Sequence, residues 1–339
     1  MRNHEVTTKQ RLLDEQGQIA EPGWSRKLLQ EYRREDIKAP KYRIKEWDYY
    51  LVTAKDFGIA MTIGDLGYMG MESVSFLDFK DCKEHTESVM PLMPMGRMHL
   101  PSHSGAGVSE YKDRRVHLKA EVEKGIRHIT CVFRKFDGNR DLSFDIVLKQ
   151  PEMDSMVIAT PWDKKHHFYY NQKVNCMPAS GWVQYGEKRY EFHPETDFAT
   201  LDWGRGVWPY DNIWHWGTGN GLINDKPFGL NLGYGFGNTT AASENIVIYD
   251  GKAHKLDDVT FHFQNDDLLK PWKITSSDGR FEMDFEPILD RVNEKDLKII
   301  ASIQHQVFGY LSGIVVLDDG TKLPVDRLLC GIEVIRNKF

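Results

Sequence analysis

The stretch DYYLVTAKDFGIAMTIGDLGYMGMESVSFLDF, residues 48–79, decides the fold class. Short β-branched or aromatic runs alternate there with Gly and Asp-Gly-like punctuation at intervals of about ten residues, the rhythm of an antiparallel meander. Upstream, residues 1–40 are charged and poor in strand formers, and SRKLLQEYRRED at residues 25–36 carries Leu28, Leu29 and Tyr32 at helical spacing behind a Ser, which predicts one short amphipathic helix. Downstream, MPLMPMGRMHLP at residues 90–101 is a Pro-rich connecting loop, after which strand-like pieces resume at residues 115–123, 125–136, 142–149, 168–177 and 181–192. The second half repeats the texture from residue 228 to residue 336, with hairpin signals at Asp250-Gly251 and Asp318-Asp319-Gly320. No exact repeat relates the halves, which meet near residues 193–220. Strand patterning of this length predicts an all-β protein of two antiparallel barrels or sandwiches packed together, because closure removes the edges that so many hairpins create. The expected organisation is a helical arm over residues 1–40, a first β domain over 41–195 and a second over 196–339.

The chain's 339 residues fit a two-domain size. Forty-four Lys and Arg against 50 Asp and Glu leave a charge of −6, so no basic field gathers nucleic acid. Cys82, Cys131, Cys176 and Cys330 lie far apart with no C-x-x-C pair, which argues against a zinc cluster and for a reducing, cytoplasmic setting. The first sixteen residues have no apolar core of a secretory signal. Residues 299–317 form the most apolar run, but Gln304, His305 and Gln306 interrupt it and Gly309 and Gly313 divide it, so it reads as buried strand and no membrane helix is expected. No cofactor or metal motif stands out: GTGNG and GYGFGNTT lack a following helix and read as turns, and the Met90, Met93, Met95, Met98 cluster beside His99 lacks a second His or Cys and reads as an apolar plug. The chain sets no oligomeric state.

The aromatic content is high, with nine Trp, 14 Tyr and 17 Phe, and it is unevenly placed. Four of the nine Trp (Trp203, Trp208, Trp214, Trp216) fall within DWGRGVWPYDNIWHWGTGNG, residues 202–221, together with Asp202, Arg205, Tyr210, His215 and Asn220. Polar tips among so many rings suit a pocket wall at the junction of two halves, where aromatic faces hold a small molecule and a few polar groups orient it. Asp202 is a candidate general acid, opposed by Arg205 three residues on if the two meet. Tyr210 and His215 are the other proton-transfer candidates, and strand alternation turns His215 away from the face that carries Trp214 and Trp216. Glu244 opens a strand and is a candidate second carboxylate.

The run D-W-G-R-G-x-x-P-Y-x-x-x-W-x-W at residues 202–216, preceded by A-S-G-W-x-x-Y-G at 179–186 and followed by G-L-N-L-G-Y-G at 229–235 and Glu244-Asn245, resembles the DUF2804 family over nearly the whole chain. More distantly, the Gly-Trp element at Trp182 followed by Asp-Trp-Gly is similar to the carotenoid hydratase and tocopherol cyclase group of two-domain lipocalin-like proteins. That resemblance implies two lipocalin-like barrels with a site near their interface, and chemistry in which an acid protonates an alkene and water or an internal hydroxyl captures the cation. Asp202 matches the carboxylate of that group, and Arg205 is a departure from it.

The expected function is therefore a hydratase, cyclase or related lyase acting without a metal on an apolar, isoprenoid- or lipid-like substrate. Asp202 is its proton donor, Tyr210 a relay or a cation stabiliser, and the walls are Trp203, Trp208, Trp214, Trp216 and Tyr210, with Trp182, Asn220 and Glu244 as further binding residues. A carbohydrate-active enzyme pairing Asp202 with Glu244 or Glu191 and stacking sugars on Trp fits the same residues, as does a noncatalytic carrier of a lipophilic ligand.

Overall fold

The structure, a computed structural model, describes residues 3–296 and 301–338. Among the described residues helix is limited to two three-residue 3-10 turns, Arg34–Asp36 and Lys41–Arg43. The strands form two large curled antiparallel sheets, of thirteen and nine strands, besides a small two-stranded one.

Both large sheets follow one plan. In the first, a meander runs from Ile44–Thr53 through Phe57–Asp65 and Gly70–Asp78 to Lys83–Val89, and a second runs from Gly107–Lys112 to Phe168–Tyr185. The last strand, Phe198–Val207, lies between them and pairs with the meander's first strand, Ile44–Thr53. In the second sheet the last strand, Lys322–Lys338, likewise pairs with the first, Asp211–Ile223. First-to-last pairing curls each sheet into a partial barrel. The opening of the first barrel is spanned by side chains, with the His85 ring nitrogen 2.9 Å from the Phe136 carbonyl oxygen.

Three apolar cores result. One draws only on residues up to Val207 and fills the first barrel, one draws only on residues from Phe228 onward and fills the second, and a third lies along the seam with residues of both. Strand alternation divides residues among them. Along Ile44–Thr53, Tyr50 and Val52 enter the first barrel while Tyr49 and Leu51 face the seam; Ile246 and Ile248 face the seam while Val247 enters the second barrel. Seam strands are thus buried on both faces; Ile246–Tyr249 (IVIY) reads as a continuous apolar run, whereas Ile44–Thr53 (IKEWDYYLVT) buries charged residues as well.

The N-terminal helix expected over residues 25–36 is replaced by extended chain. Gly23–Ser25 pairs with residues 157–159 of the first sheet, and Gln30–Glu31 pairs with Gln10–Arg11. Tyr32 is drawn into the first barrel, where its hydroxyl donates to Glu46 at 2.6 Å and its ring meets Trp203 edge-on. These tertiary partners outweigh the weak helical preference of a single turn. Asp250-Gly251 forms the expected tight turn, with φ of 50° and 79° between paired Tyr249 and Lys252, a conformation that Gly251 adopts without strain. Ala301–Val316 is strand, whereas residues 299–300 of the apolar run lie outside the described residues. Among the described residues no helix is long and apolar enough to cross a membrane.

Candidate functional site

The seam holds a cavity of about 280 Å³. Its position follows from the D-W-G-R-G run on Phe198–Val207. Leu201, Trp203 and Val207 pack in the first barrel, so Asp202 and Gly204 face the seam. A Cβ at Gly204 would overlap the Trp47 indole, so the absent side chain is what lets that ring lie across the strand. Trp47 then meets Trp208 edge-on at 5.4 Å, and Trp208 meets Trp214 at 5.1 Å and Tyr169 at 5.7 Å, forming a wall from both sheets. Trp216, from the second sheet, also lines the cavity.

Asp202 reaches this space as one half of an ion pair. Lys173 Nζ lies 2.6 Å from its Oδ2, and Oδ1 accepts from Asn171 Nδ2 at 2.6 Å and Trp47 Nε1 at 3.2 Å. Charge-assisted contacts of this kind are about twice as strong as neutral ones. The Lys173 ammonium also sits 4.1 Å from the Trp216 ring centroid.

A second acid faces the same cavity. Glu333, on the C-terminal strand, accepts from Trp214 Nε1 and from Gln306 Nε2, each at 3.2 Å. Burial pushes its carboxyl up to about 7, opposed by Arg291 and the Trp214 hydrogen bond and reinforced by the charge of Asp202. Arg291 lines the cavity and is fixed by donation to Ser75 Oγ at 3.0 Å. Lys45, also in the lining, is brought down to about 7 by burial and then by Arg43. A carboxyl raised toward neutrality, a second acid fixed in an ion pair and a wall of indoles packed edge-on together equip the space for proton transfer and for holding a transient cation.

The residues singled out from sequence do not all reach the cavity. Asp202, Trp208, Trp214, Trp216 and Tyr210 line the cavity, Tyr210 at 44% exposure. Trp203 and Arg205 face into the first barrel, where Arg205 is ion-paired with Asp48 at 3.1 Å and donates to the carbonyls of Trp47 and Pro101; it does not pair with Asp202. His215 points into the second barrel and stacks on Tyr234 at 4.5 Å. Trp182 lies under the Arg189 guanidinium at 4.4 Å, and Asn220 bonds the Cys176 amide and Thr200; neither lines the cavity. Glu244 is buried behind Trp216: Trp216 Nε1 donates to Asn231 Oδ1 at 2.7 Å, and Asn231 Nδ2 donates to the Glu244 carbonyl at 2.8 Å. Burial raises its carboxyl to about 7 despite Lys173. Glu191 is exposed and paired with Arg189. Among the described residues no cluster of three His, Cys, Asp or Glu side chains could hold a metal.

Residues 3–339 match the family described as a domain of unknown function, DUF2804. The chain belongs to that family. No curated protein sequence matches this DUF2804 chain. Among solved structures it is similar to a protein assigned as AttH from Nitrosomonas europaea, at 14% identity and a TM-score of 0.52, over 89% of this chain and 96% of the other. It is also similar to kievitone hydratase from Nectria haematococca, at 10% identity and a TM-score of 0.50, over 98% of each chain. These likenesses concern the fold.

Lys173, Glu333, Lys45, Trp47 and Arg291 were not singled out by sequence reading. Lys173 and Glu333 carried a usable signal: each is a charged residue inside a strand-like run with apolar neighbours (KVNCM, GIEVI), which on a strand buried on both faces must point into a core or a site.

Proposed function

We propose that the chain is a hydratase- or cyclase-type lyase that adds water, or an internal hydroxyl, across a carbon–carbon double bond of an apolar small molecule. The observation that carries this reading is that Glu333 and the Lys173–Asp202 ion pair face one aromatic-walled cavity. Glu333 gives its proton to one alkene carbon, and the Trp208, Trp214 and Trp216 faces stabilise the cation left on the other. Water bonds to that carbon and passes its proton to Asp202, from which it returns to Glu333 through solvent. Asp202 is held by Lys173 and is assigned the acceptor's role, and the donor's falls to Glu333. The shared fold with kievitone hydratase is in keeping with this chemistry.

The test is to identify the molecule that co-purifies with the protein and incubate it with the protein in water labelled with heavy oxygen. Gain of one labelled water by the wild type, with about 100-fold slower gain in Glu333→Gln, supports the reading. A retained molecule that never gains label makes the protein a carrier, and equal gain in Glu333→Gln overturns the donor's role of Glu333.

A further inference from the structure

Among the described residues two lysines line the cavity. Lys173 is bound to Asp202. Lys45 is 5% exposed, on the strand that also presents Trp47 and Tyr49 to the cavity, with Nζ 5.6 Å from the Tyr68 ring centroid. Its partner in the neighbouring strand is Gly206, so no side chain crowds it from that position. The mechanism proposed above leaves Lys45 unused.

An amine withdrawn from bulk water, beside aromatic walls and in the same cavity as an exchangeable carboxyl, is the equipment of imine formation. We infer that Lys45 condenses with a carbonyl group of the ligand, which makes the ligand class an apolar aldehyde or ketone. The lone pair of Nζ forms a bond to the carbonyl carbon while the carbonyl oxygen takes a proton from Glu333. That oxygen takes a second proton from Nζ and leaves as water, so the protonated imine remains and Glu333 is left as the carboxylate; no oxidant or reductant is consumed. Burial and the nearby Arg43 charge, which bring Lys45 down to about 7, keep a large fraction of it nucleophilic. Resting on the hydratase reading, the consequence for catalysis is direct. When the carbonyl is conjugated with the double bond, the protonated imine withdraws electrons, Glu333 regains a proton from solvent, water bonds to the far carbon and yields its proton to Asp202, and the near carbon takes the proton from Glu333. Hydrolysis of the imine returns Lys45 and releases a β-hydroxy carbonyl compound.

The full-length protein treated with decanal and sodium cyanoborohydride at pH 7, followed by peptide mass mapping, tests the inference. An ordinary surface lysine is free base to about one part in 2,000 at this pH, so early alkylation at Lys45 is expected at least about tenfold ahead of any surface lysine. The fast phase is expected to vanish in Lys45→Arg, shown to be folded by its unfolding temperature, and to be absent with glyceraldehyde, a polar aldehyde. Alkylation spread over surface lysines at the same rate in wild type and Lys45→Arg overturns it. Trapping at Lys45 without water addition to any ligand leaves the lysine chemistry standing and removes the hydratase reading; water addition that persists in Lys45→Arg does the reverse.

Discussion

The Lys173 ammonium stands 2.6 Å from Asp202 Oδ2 and 4.1 Å from the centroid of the Trp216 ring, so one buried cation ties the acid of the first sheet to an aromatic wall contributed by the second. Lys173→Met removes that cation and leaves Asp202 facing an apolar space. The expected cost is about 3–5 kcal/mol, read by urea unfolding, because breaking a buried pair strands its partner's charge. Lys173→Met with Asp202→Leu is expected to recover more than half of the loss. A single variant as stable as wild type would show that the pair contributes nothing to holding the seam.

The glycine of the D-W-G run has a specific task. Gly204→Ala places a methyl where the Trp47 indole lies. Displacement of the ring breaks its hydrogen bond to Asp202 and its contact with Trp208, and overpacking of this kind costs about 1–3 kcal/mol. A fall in unfolding temperature with altered tryptophan fluorescence checks it; an unchanged spectrum would mean that Trp47 does not need the space.

The pH dependence of stability has a predictable sign at Glu244. Its carboxyl is raised from 4.5 to about 7 by burial, so the folded state holds the proton more tightly than the unfolded chain. The stability this contributes is complete below about pH 4.5 and is lost as pH rises through 7, a change of order 3 kcal/mol. Glu244→Gln, neutral at every pH, is expected to reduce the slope of the profile, leaving the part that Glu333 contributes, and to be more stable than wild type at pH 8.5 by urea unfolding. A variant profile with the same slope would place the titration elsewhere.

Much of this architecture was legible in the strand rhythm, because hairpin punctuation is local: Asp250-Gly251 states its turn without reference to the rest of the chain. Trp214 and Trp216 likewise pointed to one wall of the cavity, since alternating positions of the strand Asp211–Ile223 share a face. What the chain did not announce depends on distant partners. Arg205 is close to Asp202 in sequence but on the opposite face of its strand, and the cation that Asp202 meets is Lys173, on the strand beside it. Leu28, Leu29 and Tyr32 have helical spacing, yet Tyr32 is claimed by Glu46 and Trp203. Trp203 sits in the same motif as the cavity residues and belongs to the first barrel, because one step along a strand reverses the side.

That division of labour yields a paired comparison. Trp208→Ala strips a ring that touches Trp47, Tyr169 and Trp214 at the cavity, whereas Trp203→Phe alters only the first barrel's packing. Both are expected to lose stability, by about 3–5 kcal/mol for the alanine variant and less for the phenylalanine one. Ligand retention is expected to fall only in Trp208→Ala. Equal retention by the two variants would place the ligand outside the seam.

The central claim is that the seam cavity carries an apolar molecule past Glu333 and Asp202. Native mass spectrometry of freshly purified wild type, Trp208→Ala and Glu333→Gln, followed by incubation in heavy-oxygen water, tests it most directly. The account predicts an apolar molecule retained by wild type and Glu333→Gln, lost from Trp208→Ala, and gaining one labelled water only on the wild type. A bound sugar, or an apolar molecule held equally by all three proteins and never hydrated, would contradict it.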